Sequence, residues 1–411
     1  MKAAEIGAGG GRRVLLVTLP FGRFGRDLAY ALRAQGAEVR HMVFNAGDLI
    51  SRRGLGAIAW RGSAADWPAR LDALAPAFTD LVVFGESGPY NGAVLARGQR
   101  GARVWVIENG YFRPDWITLE RGGANAGSAL PRDPQAYDAE WPMPGPVRSV
   151  GPTIRSLVVN ISLYYAAELL GRPFFPRHIP PFTAPPWRQA IGHVLRYIRR
   201  LGEGRADDTS AIAAVQPFFL VCLQRDGDSQ LLRHSTLTDN AAFLNVVMES
   251  FSRHAPPGTH LLVKNHPLDS GLVDLAALTA KTARAFGVGD RVRFIDGGAL
   301  SRLCRASRGV VLNNSGSAFA ALGFGTPVKA LGRALYDIPG LTDQKPLDRF
   351  WADPTPPDAG LFHRFRSQVM ARTQINGSFD DRRTARATAT RVARTMLAQN
   401  DEGAESSQVR G

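Results

Sequence analysis

Across its 411 residues the chain has only two cysteines, Cys222 and Cys304. Both stand in apolar surroundings at no metal-ligand spacing, which excludes a disulfide framework and points to two reduced core residues. That chemistry suits the cytoplasm. No uninterrupted run of about 18 apolar residues occurs, so no membrane-spanning helix is expected. The apolar stretch from Val14 to Phe21 is short and soon interrupted by Arg23 and Arg26, unlike the core of a signal peptide. Acidic residues are also few, 36 Asp and Glu against 50 Lys and Arg, leaving a formal charge of +14. Such an excess attracts polyanions: nucleic acid, anionic lipid headgroups or a phosphorylated substrate. The basic residues are spread singly or in pairs, and no basic arm appears, so nucleic acid is not an expected partner. Gly7, Gly9, Gly10 and Gly11 precede the first strand, whereas a dinucleotide fingerprint lies between strand and helix. Residues 1–12 therefore read as a flexible tail.

What is present is globular, with 45% hydrophobic and 21% charged residues in a length that suits two cores. Apolar runs at 13–20, 38–44, 80–84 and 103–107 alternate with helical patterns, and the rhythm restarts after residue 216. Alternating strands and helices imply parallel, doubly wound sheets. The expected architecture is α/β, two Rossmann-like domains facing a central cleft, the glycosyltransferase-B arrangement. Its parts are an acceptor-side domain over 13–150, a Pro- and aromatic-rich connector over 151–215, a nucleotide-sugar domain over 216–380, and a C-terminal helix and tail over 381–411.

In that connector Trp187, Ile191, Val194, Leu195, Ile198 and Leu201 share one helical face, with Arg188, Arg196, Arg199 and Arg200 supplying charge. Two readings stand: a helix lying on an anionic membrane surface, or an amphipathic helix packed on the core with a solvated basic face.

In parallel sheets ligands bind beyond the carboxyl ends of the strands, and the polar motifs fall there. Gln224 to Gln230 places Asp226 and Asp228 after one strand, so Asp228 is a candidate nucleophile or base, or part of an inert polar turn. Lys264-Asn265-His266-Pro267 closes the next strand; His266 can donate to a phosphate or simply cap the loop. Asn313-Asn314-Ser315-Gly316-Ser317 leads into a small-residue helix, where it can bind phosphate, supply an N-cap, or both. Arg23 lies at the first strand-to-helix junction, near enough in sequence to serve an acceptor phosphate. The segment 111–120 shows no clear helical or strand period. Glu108, at a strand terminus beside these aromatics, is a candidate general acid or base.

The strings Val106 to Gly123, Gly227 to Gln230, Lys264 to Pro267, Tyr336 to Thr342 and Arg372 to Phe379 resemble the capsule polysaccharide biosynthesis family over about residues 13–380. The single-module length and the Gly171-Arg172-Pro173-Phe174-Phe175 string are similar to its KpsS/LipB type. The resemblance implies a retaining β-Kdo transferase that takes Kdo from CMP-Kdo and adds it to a lysophosphatidylglycerol or phosphatidylglycerol anchor, starting a poly-Kdo linker. It implies Asp228 as nucleophile in a Gln224-x-x-x-Asp228 pattern and Glu108 as acid/base. Gln224, Lys264, His266, Pro267, Asn314, Ser315, Gly316 and Ser317 would form the donor site. Arg113, Glu86 and Arg23 would form the acceptor side, although Gly85 to Asn91 departs from the Asp and Arg–His pair that relatives tend to carry there. A metal is not chemically required, because CMP is already an acceptable leaving group, and no cofactor is expected. The implied setting is the inner face of the inner membrane, alongside an anionic surface and other capsule-assembly proteins. The alternatives are another transferase of this architecture with a different donor, or a capsule-assembly scaffold without catalysis.

Overall fold

The computed structural model describes residues 11–51, 56–145, 147–151, 153–180, 184–203, 212 and 214–398, with backbone alone at 186 and 200–203. The expected tails fall, at 1–10 and 399–411, outside the described residues. Internal contacts divide the chain into two units: Met1–Ala124, Pro144–Pro181 and Arg372–Gly411 form the first, Asn125–Met143 and Phe182–Ala371 the second.

The first unit contains β1 (Arg13–Leu16), α1 (Phe24–Arg33), β2 (Glu38–Val43), α2 (Ala46–Ser51), β3 (Ala57–Ala59), α3 (Trp67–Leu74), β4 (Asp80–Phe84), α4 (Gly88–Arg97), β5 (Arg103–Asn109), β6 (Trp116–Arg121) and α5 (Ile154–Leu170). The second contains α6 (Pro186–Glu203), β7 (Phe218–Cys222), α7 (Ser229–His234), α8 (Asn240–His254), β8 (His260–Lys264), α9 (Leu275–Ala285), β9 (Val292–Ile295), α10 (Leu300–Ala306), β10 (Val310–Leu312), α11 (Ala318–Gly323), β11 (Val328–Ala330) and α12 (Leu347–Phe350). After α13 (Ala359–Thr373), β12 (Gln374–Asn376) and α14 (Ala385–Ala398) complete the first unit.

The first unit's seven-stranded sheet has the order β12-β6-β5-β4-β1-β2-β3. Strands β3, β2, β1, β4 and β5 run parallel. The apolar runs of β1, β2, β4 and β5 are buried on both faces, as the pleat requires when helices cover a sheet on both sides, whereas the edge strand β3 is not buried. Val14 and Leu16 join Phe24 and Leu28 of α1 and Val392 and Met396 of α14. Leu15 and Val17 instead join Trp67 and Leu71 of α3. At the amino end of β4, burial alone would raise the Asp80 pKa, but hydrogen bonds from Arg12, Thr79 and Trp105 overcome that and hold it low. This ion-pair cluster locks β1, β4 and β5 at the edge opposite their carboxyl ends.

The segment 111–120 departs from its expected loop. Trp116–Arg121 forms β6, antiparallel to β5 with Glu108 opposite Thr118, and β12 pairs on its far side. Ile117 and Leu119 enter the core, while Thr118 and Glu120 on the other face are buried too. The phenol of Tyr111 donates to Glu120, and Gln374 Nε2 donates to Thr118 Oγ1 at 3.0 Å. Ile117, Thr118, Leu119 and Glu120 alternate apolar and polar, but the polar positions face protein instead of solvent.

The second sheet is wholly parallel, β11-β10-β7-β8-β9. Phe219 and Val221 pack with Phe243, Val247 and Phe251 of α8 and with Trp351. A mixed α/β fold with parallel sheets is therefore present, but its units are not consecutive stretches. The expected connector is divided between them: α5 packs on α2, where a side chain at Gly47 would meet Tyr164 at 2.7 Å, and α6 belongs to the second unit. Residues 125–143 also join the second unit, where Ala126 N donates to Gln230 Oε1 at 3.3 Å and Trp141 N to Ser367 Oγ at 3.2 Å. Among the described residues no helix is long and apolar enough to cross a membrane.

Candidate functional site

In the second unit β10, β7 and β8 are parallel neighbours. The loops that follow them must leave the same sheet edge, so Gln224 and Asp228, Lys264 to Pro267, and Asn314 to Ser317 are brought together there.

Gln224 and Asn314 are buried and bonded reciprocally: Gln224 Nε2 donates to Asn314 Oδ1 at 2.9 Å, and Asn314 N donates to Gln224 Oε1 at 3.1 Å. They tie the ends of β7 and β10 together. The two carboxylates of the next turn separate in role. Asp226 is exposed and accepts from Asn240 Nδ2 at 2.7 Å, and partial desolvation by the protein around its carboxylate raises its pKa. Asp228 is half-buried, with its Oδ1 accepting from Gln230 N at 2.9 Å as the N-cap of α7. Gly227, at φ 79°, makes the turn that sets Asp228 there.

Lys264 is buried, with Nζ donating to Asn265 O at 3.3 Å. His266 is half-buried and Pro267 exposed. His266 Nδ1 accepts from Leu268 N at 3.1 Å, so a neutral imidazole carries its proton on Nε2. Ser317 Oγ donates to Ser315 Oγ at 2.9 Å and makes no cap hydrogen bond to α11. Ser315 Oγ instead accepts from Ser317 N at 3.3 Å, a capping-type bond at the entry to the helix, and the serine pair stands beside exposed Gly316. The paired hydroxyls, more than the six-residue helix behind them, are the groups suited to an anion.

Arg196 is a correction to its assignment on a membrane-facing basic surface. It is 8% exposed and pairs with Asp296, Nε to Oδ2 at 2.8 Å. Its Nη atoms donate to the carbonyls of His266, Pro267 and Asp269 at 3.1, 3.1 and 2.6 Å. The α6 helix therefore clamps the loop that carries His266.

In the first unit, Arg23, Glu86 and Glu108 to Arg113 follow or end the parallel strands β1, β4 and β5, again at one sheet edge. Arg23 pairs with Asp27, Nε to Oδ2 at 2.9 Å. Arg113 is exposed, and its Nε donates to Gly110 O at 3.2 Å. Glu86 is buried and accepts from Ala124 N at 3.1 Å. Asn91 donates to Phe84 O at 2.7 Å and accepts from Thr18 Oγ1 at 2.6 Å. Glu86 and Asn91 thus brace the loop after β4 from within. Glu108 is half-buried in the β5–β6 ladder.

One cluster at this edge was missed from the sequence. After β2, Asn45 Nδ2 lies 2.8 Å from Tyr164 Oη and 3.1 Å from His178 Nε2. Tyr164 Oη donates to Asp48 Oδ1 at 3.2 Å, and His178 stacks on Tyr90. Glu168 lies 3.8 Å from His178. Burial, reinforced by the Asp48 charge and opposed by Arg172, pushes the Glu168 pKa up to about 7. Burial lowers that of His178. The available signal was Glu168 itself, the sole acidic residue of the apolar segment Ile154–Leu170.

The model of the family described as capsule polysaccharide biosynthesis protein matches residues 79–380. The chain belongs to this family. It is 33% identical over 377 residues to the capsule polysaccharide export protein KpsS of Escherichia coli, covering 90% of this chain and 97% of the relative. It is 34% identical over 397 residues to the capsule polysaccharide modification protein LipB of Neisseria meningitidis serogroup B, covering 89% and 91%. Among solved structures, KpsC of Thermosulfurimonas dismutans, a beta Kdo 2,7 transferase, aligns with a TM-score of 0.42 at 12% identity over 94% of this chain and all of that one.

Proposed function

We propose that this capsule-family chain is a retaining β-Kdo glycosyltransferase that moves Kdo from CMP-Kdo to a lysophosphatidylglycerol or phosphatidylglycerol anchor at the inner face of the inner membrane. The observation that supports it most is the meeting of Asp228, His266, Ser315 and Ser317 at the carboxyl edge of β7, β8 and β10. There, an Asp228 carboxylate oxygen attacks the anomeric carbon as the bond to the CMP phosphate breaks. His266 Nε2–H and the serine hydroxyls donate to the departing phosphate, and Lys264 supplies positive charge. The Gln224–Asn314 pair and Pro267 hold the loops in place. In the second displacement the acceptor hydroxyl attacks the same carbon, Glu108 takes its proton, and the bond to Asp228 breaks. Two displacements retain configuration. Arg23 and Arg113 would receive the acceptor phosphate, with Glu86 holding the loop between them.

The test is incubation with lysophosphatidylglycerol and CMP-Kdo generated in situ, followed by mass spectrometry of the lipid. Addition of a single Kdo is expected. Its absence with wild-type protein, while another nucleotide sugar is consumed, would assign a different donor.

A further inference from the structure

A surface helix of a globular protein ordinarily turns its apolar stripe inward and its charges outward. Helix α6 is reversed. Its inward positions are Gly192, where a Cβ would come within 2.4 Å of Ser270 O, and the buried Arg196. Its apolar residues Trp187, Ile191, Val194 and Ile198 are exposed, Trp187 by 55% and Ile198 by 57%, and Leu272 extends the same face beside Trp187 and Ile191.

Helix α5 of the first unit behaves in the same way. Its inner side carries Tyr164 and Glu168 into the Asp48–His178 cluster. Its outer side exposes Ile154, Val158, Leu163 and Leu170, Leu163 by 60% and Leu170 by 79%, and Phe174 follows.

The charges beside these faces select the occupant. Arg155, Arg172 and Arg177 are exposed on or just after α5, and Arg188 on α6. The one acidic residue of α5 is turned inward, and no acidic residue precedes Glu203 in α6. A second copy of this chain would bring another +14 charge to the same arginines, whereas anionic headgroups complement them. At 1.5 Å per residue each helix is about 26 Å long, long enough to lie in the headgroup–acyl boundary with its ridge in the acyl region and its arginines at the phosphates.

We propose that the outward faces of α5 and α6 are docking surfaces for an anionic phospholipid bilayer. The inference deepens the lipid-acceptor reading and rests on it for biological purpose, but its test does not require transfer. Full-length protein is mixed with vesicles of phosphatidylglycerol and phosphatidylethanolamine, or of phosphatidylcholine alone, and bound protein is measured by flotation. Wild type should float with the anionic vesicles. Ile191→Glu/Ile198→Glu and, separately, Val158→Glu/Leu163→Glu should each weaken partitioning at least about tenfold, with unchanged circular dichroism and melting temperature because these sites are exposed. Brominated acyl chains should quench wild-type fluorescence more than that of Trp187→Phe.

Both variants should retain transfer to a short-chain acceptor dispersed without vesicles. Flotation of both variants at the wild-type level would overturn the proposal. So would a dimer in light scattering that the same substitutions dissociate, which would give the faces to a second copy. Vesicle binding without any transfer would instead leave the docking surfaces standing and remove the transferase reading.

Discussion

Arg196 and Asp296 form a two-point ion pair, Nε to Oδ2 at 2.8 Å and Nη2 to Oδ1 at 2.5 Å. The three remaining N–H groups of that guanidinium reach the carbonyls of His266, Pro267 and Asp269. All five donors of the fork are thereby satisfied inside the protein. One side chain seats α6 with its apolar face outward and fixes the backbone at and just after the candidate phosphate-binding histidine. The arginine that composition suggested for the membrane is instead the reason the helix can offer its apolar face.

Breaking this pair from one side should therefore be costly. Arg196→Met takes the guanidinium from the Asp296 carboxylate and one donor from each of three carbonyls, a loss of about 3–5 kcal/mol for a buried pair. Asp296→Leu added to it removes the stranded charge and should recover much of that loss, because a buried pair replaced whole is often near neutral. Urea denaturation of wild type and the single and double variants measures both effects. Equal stability of Arg196→Met and wild type would show that the clamp carries no net free energy.

The Glu168 cluster gives a pH dependence whose sign is fixed by the direction of its shift. With a folded pKa of about 7 against an ordinary 4.5, the folded state holds a proton that the unfolded state has lost between those values. Stability is therefore full below pH 4.5, falls as pH rises, and levels off above 7, a decline of roughly 3 kcal/mol at 1.4 kcal/mol per pKa unit. Asp48 and His178 face Glu168, and Arg172 opposes the shift. Glu168→Gln keeps the neutral shape and should lack this slope, melting above wild type at pH 8 and near it at pH 5. The difference between the two melting curves isolates this group from the other titrating residues.

What the sequence made legible follows from how each signal arises. Strands such as Phe218–Cys222 and His260–Lys264 are buried on both faces, so their unbroken apolar runs and the polar loops after them marked the ligand edge of the second sheet. Strand β6 escaped because its alternation spans only Ile117 to Glu120, next to Pro114-Asp115 and Arg121-Gly122; the burial of Thr118 and Glu120 against Gln374 and Tyr111 is set by tertiary structure. Helix α5 escaped because its apolar residues point in all directions, leaving no stripe to read. For α6 the stripe was visible, but a helical wheel carries no information about which side meets the protein. Gly192 against Ser270, and Arg196 against Asp296, decide that.

The two roles available to Asp228 can be separated by chemistry that leaves the fold alone. Its Oδ1 accepts the Gln230 N–H at 2.9 Å as the N-cap of α7, a bond that an asparagine carbonyl makes equally well. Only the carboxylate can attack an anomeric carbon and later depart from it. Asp228→Asn should therefore fold and melt like wild type while Kdo transfer falls by about four orders of magnitude or more, the scale of removing a nucleophile. Asp228→Ala should lose the cap as well, at about 1 kcal/mol. If Asp228→Asn transfers at the wild-type rate, Asp228 is a cap alone. If it melts like Asp228→Ala and is equally inactive, the loss of transfer follows from the fold, and the nucleophile must be sought among the other groups at this sheet edge, beginning with Asp226.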